Sequence, residues 1–106
     1  MKPAYRRMLQ VMKEKSAGDS VAEKDWGVYI VRCSDNSFYT GATNDVKARL
    51  LKHNSGKGAA YTRTRRPVRL LYKELGMTRS QALVREAEIK SLPRGKKKIL
   101  VKAGPP

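Results

Sequence analysis

Cysteine and histidine are almost missing from this chain: Cys33 and His53 are the sole examples of each in 106 residues. With one thiol no intrachain disulfide can close and no cysteine-based metal site can form, and no disulfide-linked partner is expected. A lone imidazole removes any His-rich zinc site. Acidic residues are scarce as well, 9 against 24 lysines and arginines, and most of them fall in expected surface, turn or cap positions. A site built from several carboxylates, as two-metal centres usually are, is therefore not expected. No apolar run approaches the roughly 18 residues of a spanning helix. The basic residues are not gathered on one amphipathic helix, so a membrane partner is not expected either. The first residues, MKPAYRRMLQVMKEK, lack the apolar core of roughly 7 to 15 residues that marks a secretory signal, and a cytoplasmic location is expected.

What the chain has in excess is positive charge, formally +15. Such an excess repels itself in a compact state and is usually tolerated because a polyanion neutralises it. Nucleic acid is the expected partner, DNA ahead of RNA. The phosphate-facing candidates are Lys57, Arg63, Arg65, Arg66 and Arg69, in and just after a Gly-containing loop, with the run Lys96–Lys98 behind them. The length suits one compact domain.

Local patterns predict an α+β fold, a small three-stranded antiparallel sheet flanked by helices. Residues 3–15 space Tyr5, Met8, Leu9 and Met12 as a short amphipathic helix, part of a basic N-terminal extension over residues 1–25. WGVYIVRC and FYTGA read as strands joined by the turn SDNS. Asn44 or Asp45 can cap a helix that ends near Asn54–Gly56. Residues 54–67 read as a basic loop, VRLLYKEL as the third strand, and T-x-x-Q at Thr78 and Gln81 as a capping box opening a helix to about Leu92. The core domain is thus expected over residues 26–92. Residues 93–106 read as a basic tail with a short apolar turn.

Several residues fit poorly as filler. Gly27 and Gly41 stand two positions from Tyr29 and Tyr39 on the same strand faces, and glycine within a strand often marks close approach of a ligand or of another backbone. Arg49 and His53, four apart, share one edge of a helix beside Val46 and Leu50. On the last expected helix Ala82, Leu83, Ala87 and Ile89 define the buried arc with Glu86 inside it, while Gln81, Arg85 and Glu88 lie opposite. A buried carboxylate must meet a cation, a hydrogen-bond network or a metal.

Together these residues resemble the GIY-YIG endonuclease superfamily, and within it the short single-domain bacterial YhbQ-like group. Gly27-Val28-Tyr29 stands at the first tripeptide and Tyr39-Thr40-Gly41 at the second. Arg49 and His53 match R-x-x-x-H, and Glu86 in LVREAEIK matches the metal-binding glutamate. The resemblance covers roughly residues 26–92. Both tripeptides lack the middle isoleucine, and no asparagine follows Glu86 where many relatives carry one.

The resemblance implies metal-dependent phosphodiester hydrolysis with Tyr29, Tyr39, Arg49, His53 and Glu86 as catalytic residues and one divalent cation, Mg²⁺ or Mn²⁺, on Glu86. It implies cutting directed by the structure of the nucleic acid rather than by its sequence. Arg49 would grip the phosphate. Tyr29 is the candidate to deprotonate or orient water, with Tyr39 and His53 bonding the water or Tyr29, the three roles being interchangeable at this level. A phenol near pKa 10 would need nearby cations to lower it. The alternative is a basic nucleic-acid-binding module without catalysis, in which the arginines bind phosphates and the tyrosines stack on bases.

Overall fold

The computed structural model describes residues 23–104, so the helix expected over residues 3–15 lies outside the described residues. Within that range the order is β1 (Trp26–Arg32), β2 (Phe38–Thr43), α1 (Val46–Asn54), α2 (Ala60–Arg63), β3 (Arg69–Met77), α3 (Arg79–Lys90) and α4 (Arg94–Ala103). The strands form one antiparallel sheet in the order β2-β1-β3. The tight turn after β1 is closed by Cys33 N–H donating to the Ser37 carbonyl at 2.8 Å. Asn36 takes the left-handed φ of 68° that asparagine tolerates better than most residues.

Central β1 is buried on both faces, and its side-chain alternation splits the core in two. Val28 and Ile30 pack with Tyr72 of β3 and with Ala82 and Ile89 of α3. Tyr29 and Val31 point the other way, against Cys33, Val68, Tyr39 and the α1 residues Val46 and Leu50. One face is thus a mostly apolar core, with Tyr72 on its β3 side. The other has a tyrosine at its centre.

Both expected caps form. Asp45 Oδ1 accepts from Ala48 N–H at 3.0 Å. At Thr78 both arms of the capping box close, at 3.2 and 2.9 Å. The remaining differences are local. The loop after α1 contains the single turn α2, and the tail is the helix α4, for which Pro93 is the N-cap, rather than a turn. Leu100 and Val101 pack against the apolar core, which gives that basic helix one anchored face.

The buried arc of α3 is centred on Ala82 and Ile89, while Leu83 is 39% exposed and Ala87 is also exposed. Arg85, expected on the solvent side, instead lies half-buried at the edge of that arc. Its guanidinium reaches β3 and forks onto Glu74, Nε to Oε1 at 2.8 Å and Nη2 to Oε2 at 2.7 Å. Tyr72 donates its hydroxyl to the same carboxylate. Burial alone would push the Glu74 carboxyl up, but the bonds from Arg85 and Tyr72 more than offset it and hold it below the usual range. Burial and Glu74 push the Tyr72 phenol up to about 12, so it remains a donor.

Arg85→Ala is therefore expected to destabilise the fold by about 3 to 5 kcal/mol, the usual consequence of stranding a buried charge. Because Glu74 is held below its unfolded value, the stability it supplies is present above the ordinary carboxylate pKa and fades as pH falls through the folded one. Urea melts of the two proteins at pH 7 and pH 3 check both points: the gap between them should shrink in acid.

Candidate active site

The second face of the sheet becomes a site because one ring needs space. Tyr29 pairs directly with Gly41 across β1 and β2, and its ring lies over that residue. A Cβ added at Gly41 would sit 2.5 Å from Tyr29 Cζ, so only glycine fits. Gly27 makes room for a backbone instead: a Cβ there would lie 3.1 Å from Leu75 Cα of β3, beside the register shift between Trp26 and Val28. Both glycines serve close approach within the protein.

The Tyr29 hydroxyl ends 2.8 Å from Nε2 of His53, which the last turn of α1 delivers fully buried. His53 Nδ1 lies 2.8 Å from Thr62 Oγ1 of α2, and Thr62 in turn donates its hydroxyl to the Ala59 carbonyl at 3.0 Å. A hydroxyl has one proton, so Thr62 accepts from His53 Nδ1–H. Nε2 is then the unprotonated nitrogen, and Tyr29 donates to it. The chain Tyr29–His53–Thr62–Ala59 has one consistent direction.

Electrostatics reinforce that direction. Burial, with smaller effects of Tyr39 and Glu86, pushes the Tyr29 phenol well above its usual value, and Arg49 offsets only part of this. The nearby cations that could have acidified Tyr29 do not prevail, because desolvation is the largest contribution. Burial, aided by Arg49, holds His53 below its ordinary value, so at neutral pH it is uncharged and able to take a proton.

Arg49 stands one turn before His53, half-buried, at the wall of a cleft of about 170 Å³ shared with Asn44, Asp45, Ala48 and Lys52. Its charge reaches both Tyr29 and His53. Glu86 comes from α3, its side chain 18% exposed and Oε2 held 3.0 Å from Lys90 Nζ. Its field also reaches Tyr29. Tyr39 presents its ring edge-on to His53, centroids 5.3 Å apart.

Residues 25–98 match the GIY-YIG catalytic domain family. The chain belongs to that family. It is 59% identical over 75 residues to a UPF0213 protein of Staphylococcus aureus, an alignment covering 71% of this chain and 92% of the relative. A solution NMR structure of a protein from E. faecalis is 40% identical, with 78% of this chain and 90% of that one covered and a TM-score of 0.52. A solution NMR structure of a UPF0213 protein from Bacillus halodurans is 47% identical, over 74% of this chain and 83% of that one, with a TM-score of 0.49. Among the described residues no helix is long and apolar enough to cross a membrane.

Within this GIY-YIG domain the arginines of the basic loop divide. Lys57, Arg63, Arg66 and Arg69 are exposed, and Arg65 is half-buried. Arg65 pairs with Asp35 at 3.0 Å, donates to the Tyr61 carbonyl and lies 3.9 Å over the Tyr61 ring. Arg66 donates to the carbonyls of Arg63 and Asn54. These two hold the loop in shape. Asn54 has a similar task, bonding both backbone groups of Val68 and so tying the end of α1 to the start of β3.

Thr62, Tyr61 and Gly58 belong to the site without any sequence signal. Tyr61 stacks on Tyr39 with centroids 6.0 Å apart. A Cβ at Gly58 would lie 2.9 Å from His53 Cα. A threonine and a glycine in a basic loop have no periodicity that would mark them as partners of a histidine nine and five residues upstream.

Proposed function

We propose that the chain is a divalent-metal-dependent endonuclease that hydrolyses phosphodiester bonds, acting on DNA ahead of RNA and selecting its substrate by shape. The observation that carries this reading is the directed hydrogen-bond chain from Tyr29 to a neutral, tautomer-fixed His53. A structural tyrosine needs only some acceptor; this one donates to a base that can keep the proton.

Tyr29 receives a proton from the attacking water as it passes its own to Nε2 of His53. The phenol never has to exist as a free phenolate, which its burial forbids. The Nδ1–H bond to Thr62 holds the ring in place and supports the imidazolium that results. Tyr39, packed on both Tyr29 and His53, keeps bulk water from the pair. Arg49, at the open edge, grips the phosphate with its planar fork and offsets charge gained in the transition state.

Glu86 is the residue that would hold the cation, since among the described residues no three His, Cys, Asp or Glu side chains cluster as a complete protein cage. One half-buried carboxylate suits a hard cation that keeps its waters and shares substrate phosphate oxygens. Such a cation, when bound, stabilises negative charge on the phosphate and the leaving oxygen.

Arg49→Lys should cut turnover almost as far as Arg49→Ala, about 10² to 10³-fold, because a point charge cannot reproduce a two-pronged contact. Single-turnover rates with saturating substrate would show it. A Lys variant at the wild-type rate would reduce Arg49 to a source of field. The proposal as a whole is tested by incubating the protein with labelled single-stranded, duplex, flap and branched DNA and RNA in Mg²⁺, Mn²⁺ or EDTA. Binding without cleavage under all conditions would leave only a nucleic-acid-binding module.

A further inference from the structure

Next to the Tyr29–His53 pair, β2 and the helices α2, α3 and α4 line a second, open cleft of about 230 Å³, with Phe38, Tyr39, Thr40, Tyr61, Lys90 and Lys97 as its walls. Its walls offer aromatic faces and two ammonium groups, with no carboxylate among them. Lys90 belongs to this cleft and to the cation site at once. Its Nζ lies 5.9 Å from the Tyr39 ring centroid and 3.0 Å from Glu86 Oε2.

We propose that this cleft is a phosphate subsite for a nucleotide beside the scissile bond, and that filling it draws Lys90 off Glu86 and opens the carboxylate to the divalent cation. The inference rests on the endonuclease reading and adds a route by which substrate and cation bind together.

Three features favour the exchange. Lys90 is 52% exposed on a flexible stem, so it can swing without disturbing α3. Glu86, the less exposed partner, stays where it is. While Lys90 sits on Glu86 the pair presents no net charge to an incoming cation. A phosphate against Lys90 and Lys97 reverses this, leaving Glu86 as an unpaired anion with a second anion nearby. Each ligand then tightens the other by the same factor.

Two measurements without turnover test it: Mn²⁺ broadening of the backbone amide resonances around Glu86, and binding of a short oligonucleotide in EDTA. Lys90→Met should tighten Mn²⁺ about fivefold, the effect of removing an exposed ion pair worth at most about 1 kcal/mol. The same variant should weaken the oligonucleotide and make its log–log salt slope shallower by about 0.7 to 0.9, one phosphate contact. Lys97→Met should weaken the oligonucleotide in the same way with a smaller effect on Mn²⁺. Glu86→Gln should abolish the broadening. If Glu86→Gln loses Mn²⁺ but Lys90→Met binds it no better than Lys97→Met, the exchange is wrong and the cation site stands. If broadening persists in Glu86→Gln, or never centres on residue 86, both fall. Unchanged oligonucleotide binding in Lys90→Met and Lys97→Met would remove the phosphate subsite.

Discussion

Glu86→Gln should abolish cleavage in Mg²⁺ or Mn²⁺ while leaving melting temperature and nucleic-acid binding essentially as they were. The amide keeps the side chain's size and hydrogen bonding but no longer supplies the charge that a hard cation requires. Among the described residues Glu86 pairs with Lys90, whose side chain is half exposed, and pairs of that kind contribute about 0 to 1 kcal/mol. The fold should hardly notice. Arg85 and Glu74 form the contrasting case, a forked pair with the carboxylate 6% exposed, where removing one partner is structural damage. Two carboxylates thus have opposite signatures: Glu86 moves activity without stability, Glu74 stability first. Binding in EDTA should be equal or slightly tighter for Glu86→Gln, because a negative charge facing phosphate is gone. A large fall in melting temperature would make Glu86 a structural residue. Cleavage at the wild-type rate would remove it from the site.

The sequence is most informative where periodicity and local chemistry coincide. The β-rich run WGVYIVRC, the capping residues Asp45 and Thr78, and the i, i+4 spacing of Arg49 and His53 each follow from local chemistry or backbone geometry, and each matches the structure. What stays hidden depends on contacts distant in sequence. Arg85 looks solvent-facing on a wheel until β3 brings Glu74 beside it. The tail RGKKKILVKA reads as basic, with four lysines and an arginine in ten residues, and its helix is anchored by Leu100 and Val101 meeting a core formed by other elements. Thr62 matters only because α2 folds back over the end of α1. The acidity of Tyr29 is the clearest instance: counting cations in the sequence suggests a lowered pKa, while the structure buries the ring so that desolvation prevails. Net charge describes the surroundings of a group, and burial decides how strongly they act.

That reversal leads to the second large effect, which separates two kinds of base. If the base is Tyr29 coupled to His53, cleavage needs a neutral imidazole at Nε2 and a protonated phenol. The rate should then be flat through neutral pH and fall on the acid side as His53 gains its proton. His53 is held below its ordinary value by burial and by Arg49, so the fall should come at a lower pH than a free histidine's, about 6.5. A free phenolate base would behave otherwise, with a tenfold gain per pH unit continuing past pH 9. His53→Gln keeps an acceptor for the Tyr29 hydroxyl but cannot retain a proton, and should lose about 10² to 10⁴ in rate, the range of a general base. Tyr29→Phe should lose about as much, since the two act as one unit, and the double variant should be scarcely slower than either alone. Single-turnover rates of all four proteins between pH 5 and 10 decide the matter. Unit slope through the alkaline range in the wild type, or full activity in His53→Gln, would show that the proton leaves by another route and that His53 only supports the ring of Tyr29.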